Sequence, residues 1–88
     1  MRILYSDEAK DDLQWFKKND KKVIKRIILL IEDLQTNPFS GIGKPERLKH
    51  ELSGLWSRRI DKKNRLYYRI IDDETIEIAR CKGHYGDK

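Results

Sequence analysis

Hydrophobic positions along this chain change period about halfway. In the first half, Ala9, Leu13 and Phe16 recur at helical spacing, and Val23, Ile24, Ile27, Ile28, Ile31 and Leu34 form a wider apolar stripe of the same kind. These patterns predict two amphipathic helices. Ser6 is placed to cap the first, which opens on Asp7 and Glu8 and closes near Lys17 and Lys18, each charge matching the helix dipole. Asn19 and Asp20 break the pattern and offer a cap for the second helix, which should stop by Asn37 because Pro38 disfavours the α region for the residue before it. Lys21, Lys22, Lys25 and Arg26 open that helix against the dipole, and a solvated face accounts for them more simply than a nucleic-acid contact.

In the second half the period becomes two. Arg2 to Tyr5, ahead of the helices, is short and β-prone, and Leu55 to Ile60, Arg65 to Ile71 and Thr75 to Cys81 read as three further strands. Asp61-Lys62-Lys63-Asn64 and Asp72-Asp73-Glu74 supply the turns, while Gly41, Gly43 and Pro45 mark a loop between the two halves. In the middle strand Leu66, Tyr68 and Ile70 alternate with Arg65, Tyr67 and Arg69, which predicts a dry side toward the helices and a cationic, aromatic side facing away. In the last strand both Ile76/Ile78 and Ala79/Cys81 could face inward, so a bulge is expected there. The order is β-α-α-β-β-β, an α+β fold with two N-terminal helices packed on one face of a small antiparallel sheet. With 88 residues, the whole of 1–88 reads as a single domain.

Charge sharpens this picture. From Lys44 to Arg69 there are nine Lys or Arg against three Asp or Glu, a local balance of +6 that exceeds the +5 of the whole chain. One segment thus carries the entire basic excess, with Trp56, Tyr67 and Tyr68 interleaved. That is the profile of a surface for RNA or DNA, or else of a solvated basic face. Cys81 is the only cysteine, and His50 and His84 are the only histidines, too far apart to suggest a metal site by spacing. No cofactor is called for. The N-terminus has no apolar stretch of signal-peptide length, and the aliphatic run from Ile27 to Ile31 is far short of a membrane span, so a cytoplasmic protein with acidic partners is expected.

RNA cleavage without a metal needs a base for the 2′-hydroxyl, cations for the charge growing on phosphorus, and an acid for the leaving 5′-oxygen. Glu46, the arginines at 59, 65 and 69, and His84 could fill those roles. Glu46, set among Lys44, Arg47 and Lys49, is a candidate base or simply neutralises its neighbours. Arg59 can lie beside Arg65 if the hairpin connection runs from Ile60 to Asn64, and two adjacent arginines repel unless an anion sits between them. His84 titrates near neutrality when unperturbed, and Tyr85 beside it adds a stacking or hydrogen-bonding group.

The run Gly43-Lys44-Pro45-Glu46-Arg47-Leu48-Lys49-His50-Glu51-Leu52-Ser53-Gly54-Leu55-Trp56-Ser57-Arg58-Arg59-Ile60, followed by Asn64-Arg65-Leu66-Tyr67-Tyr68 and Cys81-Lys82-Gly83-His84-Tyr85, resembles the YoeB (Txe/YoeB) toxins of bacterial toxin–antitoxin modules, within the RelE superfamily. The likeness covers nearly the whole chain. It implies a ribosome-dependent mRNA endonuclease that cuts the codon in the A site and halts translation, leaving a 2′,3′-cyclic phosphate and a 5′-hydroxyl. By that resemblance Glu46 matches the general base, His84 the general acid and Arg65 the arginine that stabilises the transition state. Arg59 and Lys49 match supporting cations, Tyr85 a stacking or positioning residue, and Arg69 is a further candidate for substrate contact. The implied partners are the ribosome, mRNA and a YefM-like antitoxin, with operator DNA bound only indirectly through that antitoxin, and a homodimer is compatible with so small a core. Gly86, Asp87 and Lys88 extend past the His-Tyr pair at which such toxins commonly stop, and Asp87 could pair with His84.

Two other readings stay open on the residues alone. One is a protein that binds the ribosome or RNA and blocks translation without cutting. The other is a co-repressor that acts on transcription by clamping an antitoxin; the chain has no recognisable helix-turn-helix of its own.

Overall fold

The structure is a computed structural model and describes residues 1–83. Its elements are β1 (Arg2–Tyr5), α1 (Asp7–Asn19), α2 (Lys21–Thr36), β2 (Glu46–Arg47), a 3₁₀ turn at His50–Leu52, β3 (Trp56–Arg59), β4 (Arg65–Asp72) and β5 (Thr75–Arg80). The α+β architecture is the one the periodicity predicts.

Ser6 caps α1 as expected: its Oγ accepts from the Ala9 amide at 3.0 Å and donates to the Ala79 carbonyl at 2.7 Å, so the cap also ties the helix to β5. Asp20 stands at the start of α2 but makes no side-chain capping bond, and that helix has no acidic residue in its first turn. Its stability therefore comes from burial, not from its ends. Val23, Ile27, Leu30, Ile31 and Leu34 are buried, while Ile28 is 49% exposed. The stripe is centred one residue row away from the expected one, with Leu30 inside and Ile28 outside. α2 ends at Thr36, ahead of Asn37-Pro38.

The strand order is β1-β5-β4-β3-β2. The expected antiparallel sheet is in fact mixed, because β1 runs parallel to β5 with Ile3 opposite Ile76. Both ends of that pairing are fixed by single backbone bonds, Arg2 N to Glu74 O at 2.6 Å and Ser6 N to Ile78 O at 3.0 Å. Nothing local in four residues sets a strand's direction. The path of the helices across the sheet decides which way β1 meets its neighbour. β2 is also additional: Glu46 pairs with Ser57 and Arg47 with Trp56, so Glu46 belongs to the ladder and not to a free loop. Two exposed charged residues after a proline carry no period to read.

The expected bulge occurs in β5, where Tyr68 faces Ile78 but Tyr67 faces Arg80. It lets Ile76, Ile78 and Cys81 all reach the core, which they share with Ala9, Phe16, α2, Ile60, Leu66 and Tyr68. The working side of the sheet differs from its sequence pattern. Tyr67 is 1% exposed and Tyr68 fully buried, while Trp56 is half-buried against Phe39 with ring centroids 5.1 Å apart. Tyr67 and Tyr68 are therefore structural, and Trp56 keeps only part of its surface open.

Candidate active site

Two polar knots shape the open end of the sheet. The first is built on Arg58, which has no exposed surface. Its Nη1 donates to Asp33 Oδ2 at 2.6 Å and to the Ile42 carbonyl at 3.2 Å, its Nη2 to the Ser40 carbonyl at 2.8 Å and to the Asn37 carbonyl, and its Nε to Tyr68 Oη at 3.1 Å. Tyr68 in turn donates to the Pro38 carbonyl at 2.8 Å. One guanidinium thus gathers three carbonyls of the loop, at Asn37, Ser40 and Ile42. The Arg58 hydrogen bond, seconded by the Ile42 amide, holds the Asp33 carboxyl below its ordinary value. Burial pushes the Tyr68 hydroxyl up.

The loop approaches α2 so closely that side chains are excluded. Gly41 has φ +113°, and a Cβ there would lie 2.0 Å from Asp33 Oδ2. Gly43 has φ +82°, with Leu30 Cδ2 2.7 Å from where a Cβ would be. The Gly43 carbonyl then accepts from the Arg59 amide at 2.7 Å, and the chain runs directly into β2. Arg58 therefore anchors the loop that leads into β2, the strand that holds Glu46.

The second knot orients the other arginines. Asp61 Oδ1 accepts from the amides of Lys63 and Asn64, both at 2.8 Å, and closes the β3–β4 connection as an Asx turn. Arg59 then stands directly opposite Arg65, the register that the five-residue connection allowed. Asn64 Oδ1 accepts from the Gly83 amide at 2.9 Å, and the Gly83 carbonyl accepts from the Arg65 amide at 3.0 Å. The end of the described chain is thereby tied beside Arg65. Upstream, buried Asp12 takes Arg80 Nε and the Cys81 amide, each at 2.9 Å, and steers the chain from β5 toward this turn. Burial and the nearby Asp12 charge push the Cys81 thiol up to about 12, so it is no nucleophile at neutral pH.

Among the predicted site residues, Glu46, Arg59 and Arg65 share one face of the sheet. Glu46 lies in register with Ser57, and Ser57 with Tyr67; Arg59 and Arg65 form the next such row toward the turn. Lys49 is exposed just after β2, at the start of the 3₁₀ turn. Arg69 lies on the same face but toward the other end, where its Nε is 3.3 Å from Glu77 Oε1. His84 and Tyr85, with the extension to residue 88, lie outside the described residues. Among the described residues no group of three His, Cys, Asp or Glu side chains comes together to hold a metal ion, and no helix is long and apolar enough to cross a membrane.

Sequence reasoning missed Asp12, Asp33, Arg58 and Asn64. A signal for two of them was present: Asp12 lies on the Ala9–Phe16 face of α1 and Asp33 on the Leu30–Leu34 face of α2, and a carboxylate on a buried face needs a cation.

A family model described as the YoeB-like toxin of bacterial type II toxin–antitoxin systems matches residues 5–85. The chain belongs to that family. Toxin YoeB of Escherichia coli K12 is 47% identical over 85 residues, covering 97% of this chain and all of that protein. A YoeB/ParE toxin from Agrobacterium tumefaciens superimposes with a TM-score of 0.91 at 34% identity, over 97% of this chain and 100% of that one. Staphylococcus aureus YoeB, 45% identical over 97% of this chain and 98% of its own, has been solved with YefM as a heterotetramer (TM-score 0.86) and as a dimer (TM-score 0.88). As a YoeB-like toxin, the chain has the fold of its solved relatives, and its polar knots explain how that fold presents Glu46, Arg59 and Arg65 on one face.

Proposed function

We propose that this protein is a ribosome-dependent mRNA endonuclease whose toxicity an antitoxin restrains. The observation that carries the reading is the Arg59–Arg65 row: two opposed arginines, without side-chain ion pairs among the described residues, on the face that holds Glu46. Like charges kept side by side at such a site are suited to an anion between them, and a phosphate fits their donors.

In this mechanism Glu46 takes the proton of a ribose 2′-hydroxyl, and the oxygen attacks the adjacent phosphorus. Arg65, supported by Arg59 and Lys49, stabilises the charge that grows on the phosphorane oxygens. The bond from phosphorus to the 5′-oxygen breaks as His84 gives that oxygen a proton, and the products are a 2′,3′-cyclic phosphate and a 5′-hydroxyl. The nucleophile belongs to the RNA itself, so the chemistry asks for no metal-bound water. Gly83, the last described residue, is bonded to Asn64 and Arg65. Tyr85 stacks on or orients the base. Arg69, half engaged by Glu77, serves as an outer contact. The ribosome supplies the bent codon geometry that an open sheet face lacks.

The antitoxin would be an acidic segment with apolar anchors, as YefM partners the S. aureus relative. A groove of about 400 Å³ lined by Tyr5, Leu13, Ile24, Ile28 and Ile31, with Lys10 and Lys17 also lining it, suits such a chain on the flank of the helices. Primer extension on ribosome-bound mRNA tests the reading, with naked mRNA and a Glu46→Gln/His84→Gln variant as controls. Cuts inside the A-site codon that need ribosomes and vanish in the variant are expected. Stalled ribosomes with intact mRNA would refute cleavage and leave a binding inhibitor.

A further inference from the structure

Beyond Arg59 and Arg65, away from Glu46, lies a recess of about 440 Å³ lined by Arg26, Arg59, Ile60, Asp61, Lys62 and Arg65. Four cations from α2, β3, the connecting turn and β4 therefore meet at one place. The single carboxylate among the lining residues, Asp61, is held by the turn, its Oδ1 accepting the amides of Lys63 and Asn64 and, at 3.2 Å, Asn64 Nδ2, so the four cations outnumber it four to one. Among the described residues none of the four cationic side chains makes an ion pair. Arg26 is half-buried, and its Nη2 donates to the Arg59 carbonyl at 3.1 Å. That bond holds its guanidinium at the recess and leaves its other N–H groups to meet an anion.

Four cations exceed what one phosphate needs. Their order along the sheet is Glu46, then the Arg59–Arg65 row, then Lys62 in the turn with Arg26 beside it. That is a track, and a nucleic-acid backbone is a row of anions. We infer that Arg26 and Lys62 form a second phosphate subsite, which holds the RNA phosphate next to the scissile one while Arg59 and Arg65 are shared between the two. The inference rests on the nuclease reading for which phosphate is scissile. It gives the basic start of α2 a function, since Arg26 of that cluster lines the recess and bonds to the Arg59 carbonyl.

The test is binding of a fluorescent, uncleavable 2′-O-methyl tetranucleotide to the full chain, read by anisotropy. It is repeated with each phosphate in turn replaced by an uncharged methylphosphonate. For the unaltered protein, neutralising one phosphate that flanks the central linkage should weaken binding about 5- to 10-fold, the size of one exposed charge-assisted contact. Arg26→Ala/Lys62→Ala should lose about the same factor on the natural backbone, and neutralising that phosphate should then cost nothing more. Arg26→Lys should restore part of the loss, and its thermal melt, with that of the double variant, checks the fold. Losses that multiply independently at every phosphate, or no binding by the unaltered protein, would overturn the subsite. The ribosome assay separates the two claims: coupling without cleavage sinks the nuclease reading and keeps the subsite, whereas cleavage without coupling does the reverse.

Discussion

Arg58→Met should be among the most damaging single substitutions in this protein. The methionine roughly fills the volume but donates nothing, so the carbonyls of Asn37, Ser40 and Ile42 lose their guanidinium partner together with Asp33 and Tyr68 Oη. Replacing a buried ion pair by apolar groups can be neutral when both partners go, but backbone carbonyls cannot be substituted away. At about 1 kcal/mol for each part-buried acceptor left without its donor, three carbonyls and the Tyr68 hydroxyl, the loss comes to about 3–5 kcal/mol. A domain of 88 residues has only about 4–13 kcal/mol in total. Arg58→Lys keeps the charge but has three donors on one atom, and about 2 kcal/mol should be lost. Urea unfolding followed by Trp fluorescence measures this directly, because Trp56 packs on Phe39 of the same loop. The expected order is Arg, then Lys, then Met, with Met lower in melting temperature by about 12–40 °C. A methionine variant within about 1 kcal/mol of the unaltered protein would show that the loop does not depend on this guanidinium, and the argument for how Glu46 is positioned would fall with it.

Gly41→Ala should destabilise by about 2 kcal/mol or more, from the positive φ and the collision with Asp33, while Gly54→Ala, which meets nothing within 4 Å, should cost only the backbone strain; paired denaturation curves compare them. Asp33 has its carboxyl held below the ordinary 3.8, so above that value the native state gains stability from it; below, the unfolded chain binds the proton first and the gain is lost as pH falls through the folded value. The acid limb of a stability–pH curve should therefore flatten in Asp33→Asn, and an unchanged limb would refute the assignment. In single-turnover cleavage on ribosomes Arg65→Ala should cost about 100-fold or more and Lys62→Ala far less, because only the former faces the phosphorane; equal losses would remove Arg65 from the transition state.

Much of this protein was legible in its residues because the signals were periodic or local. The change of period from helical to alternating separates α1 and α2 from the sheet, Ser6 caps where its neighbours say it should, and Asn37-Pro38 ends α2. The Arg59–Arg65 register is one that the length of the turn allows and the structure adopts. Long runs of family-like residues carry the resemblance to the toxin family. Only the tertiary structure could decide which charges are free. Arg58 and Arg59 are adjacent and alike as letters, yet one is fully buried on Asp33 and the loop carbonyls and the other faces solvent beside Arg65. A strand sends consecutive side chains to opposite faces, so their fates depend on what each face meets. For the same reason Tyr67 was removed from the stacking surface, Arg69 was drawn to Glu77, and Arg26 was brought from α2 to the end of β3. Sequence determined the inventory and order of the chemistry; the long-range pairing of loop, strand and helix determined which groups converge, since those contacts join residues whose separation no local pattern encodes.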